Sequence, residues 1–299
     1  MMIPLRLGVI GLSPGNGHPY SWSAIFNGYD PEAMEGCGFP VIPRYLEKQQ
    51  FPVDAITDAK VTHVWAQEKS IAHHIAKSAR IDNVVNNFAD MIGHVDGVLL
   101  ARDDSDNHLY YASPFLKAGV PIYIDKPLAL NKADGLALLS LQKYPGQLFS
   151  CSALRYASEL QLTQAQRQIV GEITDINAKT PKDWEKYSMH VIDPVLRILG
   201  DQGLIKTTKV IHSKHITSLS ALHDSGVLVH INSMGDAKIP LAIEITGSLG
   251  CVQLQFQNTF SAFRNALADF IDGIQNRSVK TSEDQLLRAI CLLEAGLKK

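Results

Sequence analysis

GVIGLSPGNGHPYSW, residues 8–22, decides how this chain is read. An apolar run, LRLGVIGL (5–12), stops at turn residues, as a strand buried in a parallel sheet does. The next segment, YSWSAIFNG (20–28), predicts a helix closed by Gly28. Strand, glycine-rich loop and helix in that order make the loop a candidate phosphate cradle, because the first amides of a helix point outward unpaired. The usual fingerprint for such a cradle is G-x-G-x-x-G directly after a strand. Gly11 holds its first place. Ser13 and Asn16 hold the second and third, with Gly15 and Gly17 each one residue off. A remodelled cradle and a plain turn both account for this spacing.

The rest of the first half keeps the same rhythm. VTHVWA (61–66), VDGVLLA (95–101) and VPIYID (120–125) read as strands, with NVV (83–85) a brief one. KSIAHHIAKSAR (69–80) and DNHLYYASPFLKAG (106–119) read as helices. The second has Asp106 as its expected cap, Gly119 as its stop and Pro114 as an interruption. About thirty residues between the first helix and the second strand are too long for a simple connection and predict a functional or covering insertion. Strand alternating with helix over residues 1–127 predicts a doubly wound parallel sheet.

After Pro127 the pattern changes. Residues 128–299 predict a second, α+β domain with an open, mostly antiparallel sheet. Its strands are LFSCSAL, EITDINAK, TTKVIHSKH, SLSALHDSGVLVHINSM and LAIEITGSLGCVQLQF. SMHVIDPVLRILG (188–200) is a helix with an apolar stripe, and two helices end the chain, the last capped near Ser282.

Composition narrows the classes. The 299 residues are 45% hydrophobic and 19% charged, enough for packed cores. A net charge of −2 argues against a general nucleic-acid or anionic-membrane binder. The four cysteines form no CxxC pair, and the eleven histidines, including adjacent His73 and His74, lack ligand spacing, so no metal site is expected. MMIPLRLGVIGL is apolar but short and lacks a small-residue cleavage site, so it reads as a strand rather than a signal peptide. With no apolar run of membrane-spanning length, the expectation is a cytoplasmic protein.

Several stretches in order carry a family likeness. AGVPIYIDKPLAL resembles the Glu-Lys-Pro strand end of the Gfo/Idh/MocA oxidoreductases. YSMHVIDPVLRILG is similar to their His-x-x-Asp helix, and DDSDNHLYYASPFLKAG to their segment after the fourth strand. VGEITDI, ITGSLGCVQL and SEDQLLRAICLLEAG resemble their later strands and last helix. The resemblance spans nearly the whole chain. It implies a Rossmann domain, a second domain whose sheet mediates homodimers or homotetramers, a nicotinamide cofactor and a sugar, nucleotide-sugar or cyclitol substrate. Three departures stand out. Asp125 replaces the Glu, the glycine loop is altered, and Lys186 stands where the family often has an Asp four residues before the helix histidine.

Candidate residues follow. Lys126 ends a strand at the carboxyl edge of the sheet, where a lysine can stabilise an alkoxide. His190 is the expected base, with Asp193 its orienting partner. Lys186 is placed with them, as an anchor for an anionic substrate or as a solvent-facing lysine, and Tyr187 as a phenol near the substrate. Lys126 and His190 are expected to converge on one hydroxyl. The cofactor is expected to touch Gly11, Leu12, Ser13, Gly15, Asn16, Gly17 and His18. Further contacts are expected from Gln67 or Glu68 past the second strand, Ala101 and Arg102 past the fourth, Asn107, His108, Asp125 and Lys126. NAD is favoured over NADP because Glu68 would repel a 2′-phosphate, while Lys69 and Ser70 could accept one. Arg155 and Tyr156 are candidates to face substrate. Two rivals keep the fold: a non-catalytic dinucleotide-binding sensor or partner protein, and a redox-neutral enzyme using transient oxidation.

Overall fold

The computed structural model describes residues 3–298, so the first two residues of the opening strand reading lie outside it. The chain divides into two compact units. The first comprises the stretch up to Leu128 together with 136–150 and 263–282. The second comprises 129–135, 151–262 and the stretch from Glu283 onward.

The first unit is built on β1 (Leu5–Ile10), β2 (Ala59–Trp65), β3 (Asn83–Val84), β4 (Gly97–Leu100), β5 (Ile122–Ile124) and β6 (Leu148–Ser150). They pair in parallel in the order β3-β2-β1-β4-β5-β6. This is the doubly wound order whose ligands bind beyond the carboxyl ends of the strands. Leu7, Val9 and Ile10 of β1, Val98 to Leu100 of β4 and Ile122 to Ile124 of β5 are buried, as strands covered on both faces must be. The connections carry α1 (His18–Asn27), α2 (Pro31–Glu35), α3 (Val41–Leu46), α4 (Lys69–Ser78), α5 (His108–Ala118) and part of α6 (Lys132–Leu139). The α/β reading holds.

Local signals account for the ends of these helices. Gly119 closes α5 in the left-handed conformation (φ 82°), and its N–H and that of Val120 return to the carbonyls of Leu116 and Phe115. The start of α5 corrects the expectation: a 3₁₀ turn at 105–107 precedes it, and Asn107, not Asp106, is the cap residue. The long insertion is α2 and α3. Gly17 lies against the Phe39 ring and Ile42, so the insertion covers the glycine loop.

The expected break after Pro127 is not where the first sheet ends. LFS (148–150) returns as β6 beside β5, because Leu148 to Ser150 continue the parallel register of Ile122 to Ile124. Phe263 to Ser282 also belong to the first unit.

The second unit carries α7 (Gln164–Val170), β7 (Ile173–Thr180), α8 (Trp184–Tyr187), α9 (Met189–Ile198), β8 (Ile205–His212), β9 (Thr217–His223), β10 (Leu228–Ser233), β11 (Ala242–Gly247), β12 (Cys251–Gln255), part of α10 (Thr259–Asn276) and α11 (Glu283–Leu297). The sheet runs β12-β11-β7-β10-β9-β8, antiparallel except for the β7–β10 pair. Leu219, Ala221, Val229 and Ile231 point to its covered face. The alternation in SALHDSGVLVHINSM predicts apolar groups on both faces; the other face does hold Leu222 and Leu228, but it is mostly polar. It carries a polar ladder in which Ser218 donates to Asn232 (2.7 Å) and Asn232 donates to Asn177 (3.1 Å). In the same ladder His230 lies 3.0 Å from Ser220 Oγ and 3.2 Å from Asp175. Leu222 and Leu228, paired across β9 and β10, and Ile211 of β8, opposite Ser218, leave apolar surface on this face. The period of two assigns each strand residue to one face or the other.

Candidate active site

The glycine loop is held by side chains from across the first sheet. Gly11 fits because a Cβ there would lie 2.1 Å from the Pro19 ring. Ser13, in the second glycine's place, donates to Asp103 Oδ1 (2.7 Å) and accepts the Asp103 N–H (3.1 Å). Asn16, in the third, donates to Asp125 Oδ2 (2.7 Å) and accepts the His18 N–H (2.8 Å). Both residues are buried. The altered fingerprint is therefore a loop pinned to the ends of β4 and β5. Gly15 forms its crest, with φ 82° and nothing within 4 Å of where a Cβ would stand.

Gln67 completes the clamp. Its amide donates to the Leu12 carbonyl (2.6 Å) and its oxygen accepts the Leu12 N–H (3.0 Å). Arg102 adds bonds to the Leu12 carbonyl (3.0 Å) and to Gln67 Oε1 (2.9 Å). The buried Arg102 also forks onto Asp104 (2.9 and 2.6 Å) and stacks over the Tyr111 ring. Burial would lift the Asp104 carboxyl, but Arg102 and Asn107 outweigh it and hold it below the ordinary range. Gln67 thus braces the loop, and Glu68 beside it is exposed.

At the end of β5 lie Asp125 and Lys126, both buried. Asp125 accepts from Asn16, from the Lys126 N–H (2.8 Å) and from His18 Nδ1 (2.5 Å). Burial alone would raise this carboxyl. The His18 ring and Lys126, with the Asn16 amide, overcome burial and hold it below the carboxylate norm. Lys126 Nζ lies 3.7 Å from Asp103. His108 does not suit the expected pocket-lining role. It has no exposed surface, and both ring nitrogens face carbonyls, of Leu128 (3.0 Å) and Arg102 (2.8 Å).

In the second unit, His190 Nδ1 lies 2.9 Å from Ser152 Oγ, and its ring meets Tyr187 edge-on. Asp193, one turn on, is buried and accepts the Ser152 N–H (2.7 Å), so both residues grip the same turn. Arg155 is buried between Asp193 (3.4 Å) and Asp201 rather than facing outward. Tyr156 sits under Arg197. Burial pushes the Asp193 carboxyl up. Arg155 and the Ser152 amide pull it back only in part, and Asp201 adds repulsion. Lys186 lies on α8, before the break at Ser188; its N–H bonds the capping Asp183 and the residue is exposed.

The sequence reading missed Asp103, Asp104 and Lys182. The acids were visible as RDDSDN directly after β4, although their partners were not. Lys182, at φ 64°, bonds the Tyr187 hydroxyl and lies over its ring. No pattern announced it. Among the described residues no group of three or more His, Cys, Asp or Glu is arranged to hold a metal, and no helix is long and apolar enough to cross a membrane.

Comparison with known proteins agrees with this fold. A family model described as an oxidoreductase family with an NAD-binding Rossmann fold matches residues 35–152. Solved structures share the fold over nearly the whole chain. A myo-inositol 2-dehydrogenase from Lactobacillus plantarum is 14% identical, with 98% of this chain and 96% of that one covered and a TM-score of 0.73. A myo-inositol dehydrogenase from Lactobacillus casei, in complex with NAD(H) and myo-inositol, is 15% identical over 98% and 93%, also at 0.73. A UDP-N-acetylglucosamine 3-dehydrogenase from Acidithiobacillus ferrooxidans is 16% identical over 99% and 100%, at 0.69. A search of curated proteins finds no match. The likeness read from the sequence is borne out to this extent: residues 35–152 match the model of the Gfo/Idh/MocA oxidoreductases, and the fold of the chain is shared with the solved dehydrogenases.

Proposed function

We propose that this protein is an NAD(P)-dependent oxidoreductase acting at a hydroxyl or keto carbon of a sugar, nucleotide-sugar or cyclitol. The observation that carries this is Lys126: a buried lysine in an Asp-Lys-Pro frame, at the carboxyl edge of a β3-β2-β1-β4-β5-β6 sheet, with its ammonium beside Asp103. A positive group fixed there stabilises negative charge developing on a substrate oxygen.

The residues present suit a dinucleotide. The bare, exposed crest at Gly15 leaves main chain open to a pyrophosphate. Glu68 at the end of β2 suits a ribose hydroxyl and disfavours a 2′-phosphate, which is why NAD is favoured over NADP. Bound nicotinamide supplies the hydride chemistry. The chain's own part is to position substrate, with Lys126 steadying the alkoxide and His190 holding the proton. The same reading carries a homodimer or homotetramer seated on the polar open face of the second sheet; sedimentation showing only monomer at micromolar concentration would remove that part. No disulfide joins the cysteines among the described residues, which suits the cytoplasm.

The test uses NAD+ with myo-inositol and with UDP-N-acetylglucosamine as probes. Lys126→Met and His190→Ala should each lower turnover by about a hundredfold or more and leave dinucleotide affinity nearly unchanged. Wild-type turnover in both variants would end this assignment. A wild-type protein that binds dinucleotide and oxidises neither probe nor other sugars would favour the non-catalytic sensor.

A further inference from the structure

His18 is built differently from the other histidines of the first unit. Its ring stacks on Trp22 (centroids 5.0 Å, 13° between planes) and meets the edge of Phe263 (4.9 Å), so it cannot turn freely. Its Nδ1 lies 2.5 Å from Asp125, a carboxylate only 2% exposed. The side chain of His18 itself is 19% exposed. A carboxylate only accepts, so Nδ1 carries the hydrogen, and the ring's free valence is at Nε2. Among the described residues nothing is bonded to that nitrogen. His108 makes the contrast: both its nitrogens are spent on carbonyls and it has no exposed surface.

Asp125 ties this ring to the proposed reaction centre. The same carboxylate accepts the Lys126 N–H on Oδ1 and the Asn16 amide on Oδ2. The imidazole and the lysine thus belong to one cluster at the carboxyl edge of the sheet. A buried carboxylate that fixes the tautomer and orientation of an imidazole is the arrangement that lets histidine carry a proton at its other nitrogen.

We propose that His18, oriented by Asp125, is a second proton-transferring residue of this protein, exchanging the substrate hydroxyl proton at Nε2. This rests on the oxidoreductase reading. In the oxidising direction the O–H bond breaks and its proton passes to His18 Nε2. The oxygen keeps that electron pair, which becomes the second C–O bond. The C–H pair leaves with its hydrogen to an oxidised nicotinamide dinucleotide. His18 ends as imidazolium against Asp125, and the reverse steps return the proton. Asp125 is a positioning residue.

Two measurements test this. In ¹⁵N-histidine spectra of the protein without added ligand, His18 should appear with hydrogen on Nδ1, and Asp125→Asn should abolish that preference. Adding NAD+ with myo-inositol should shift its Nε2 signal. In turnover of the same probes, His18→Gln should cost about a hundredfold in kcat and change the NAD+ Kd less than about threefold. An Nε2–H tautomer in the wild type would overturn the proposal, as would unchanged kcat in His18→Gln or a loss confined to NAD+ affinity. If the wild type oxidises no polyol, the oxidoreductase reading fails separately. The spectra then decide alone, and an Nε2 signal unmoved by NAD+ with either probe refutes the role of His18.

Discussion

Asp125 and Asp193 are both buried aspartates beside a candidate catalytic residue, yet their surroundings drive them in opposite directions. Asp125 gathers an imidazole at 2.5 Å, an amide at 2.7 Å, a main-chain N–H at 2.8 Å and the nearby charge of Lys126. These outweigh its burial and keep it ionised. Asp193 has a main-chain donor at 2.7 Å and shares the cation of Arg155, at 3.4 Å, with Asp201. Burial wins there, and the carboxyl is pushed up. The guanidinium of Arg155 gains from both acids and is held charged despite its own burial. The lesson concerns the donor set, not burial. A carboxylate with several short donors can serve as a permanent charge that aims a histidine. One that competes for a single cation serves as a brace.

The largest break in this comparison comes from Arg155→Ala. It strands Asp193 and Asp201 without their shared cation, and removing one partner of a buried pair costs about 3–5 kcal/mol. Chemical denaturation should show that loss, larger at pH 8 than at pH 5, because Asp193 would relieve it by taking a proton. A loss under about 1 kcal/mol at both pH values would mean that Arg155 is not bracing Asp193.

The pH dependence of stability sharpens the contrast with smaller effects. The depressed Asp125 contributes stability fully present above roughly pH 4, the unfolded carboxylate value, and lost as pH falls through its folded value. The raised Asp193 works the other way. Its folded form binds the proton more tightly, so its contribution is fully present below roughly pH 4 and is lost as pH rises through the folded value. Melting curves from pH 3 to 8 should therefore show Asp125→Asn flattening the acid limb and Asp193→Asn flattening the slope above it. Identical profiles for the two variants would refute the opposed shifts.

The smallest effect is expected at Glu68, an exposed carboxylate at the end of β2. Glu68→Gln should narrow the preference for NAD+ over NADP+ by a few-fold, in keeping with about 1 kcal/mol for an exposed charged contact. Titration with both dinucleotides at one ionic strength checks it. An unchanged ratio would assign the choice to other residues.

Much of the first unit was legible because its signals are local. Apolar runs ending in turns marked β1, β2, β4 and β5, and Gly28 and Gly119 marked helix ends. The site was legible only in part. The frame around Lys126 and the His190 helix stood out, but Gln67 read as a ribose ligand when its amide is spent on Leu12. His108 read as a pocket residue when it is enclosed. Arg155 read as a substrate contact when it is buried against two acids. Each of these roles depends on a partner that is distant in the chain or lies on a different element, and a residue type alone names no partner.

The sequence by itself determined the alternation of strand and helix and the residue types at the sheet's edge. Repeats of two and 3.6 residues are properties of neighbouring positions. Tertiary structure alone decided that residues 148–150 rejoin the first sheet and that Ser13 meets Asp103, 90 positions away. It also decided that Asn16 and His18 meet Asp125, 109 and 107 positions away. Those meetings follow from strand order. Setting β4 beside β1, and β5 beside β4, brings their carboxyl ends to one edge, so the loop after β1 ends among the acids that follow β4 and β5.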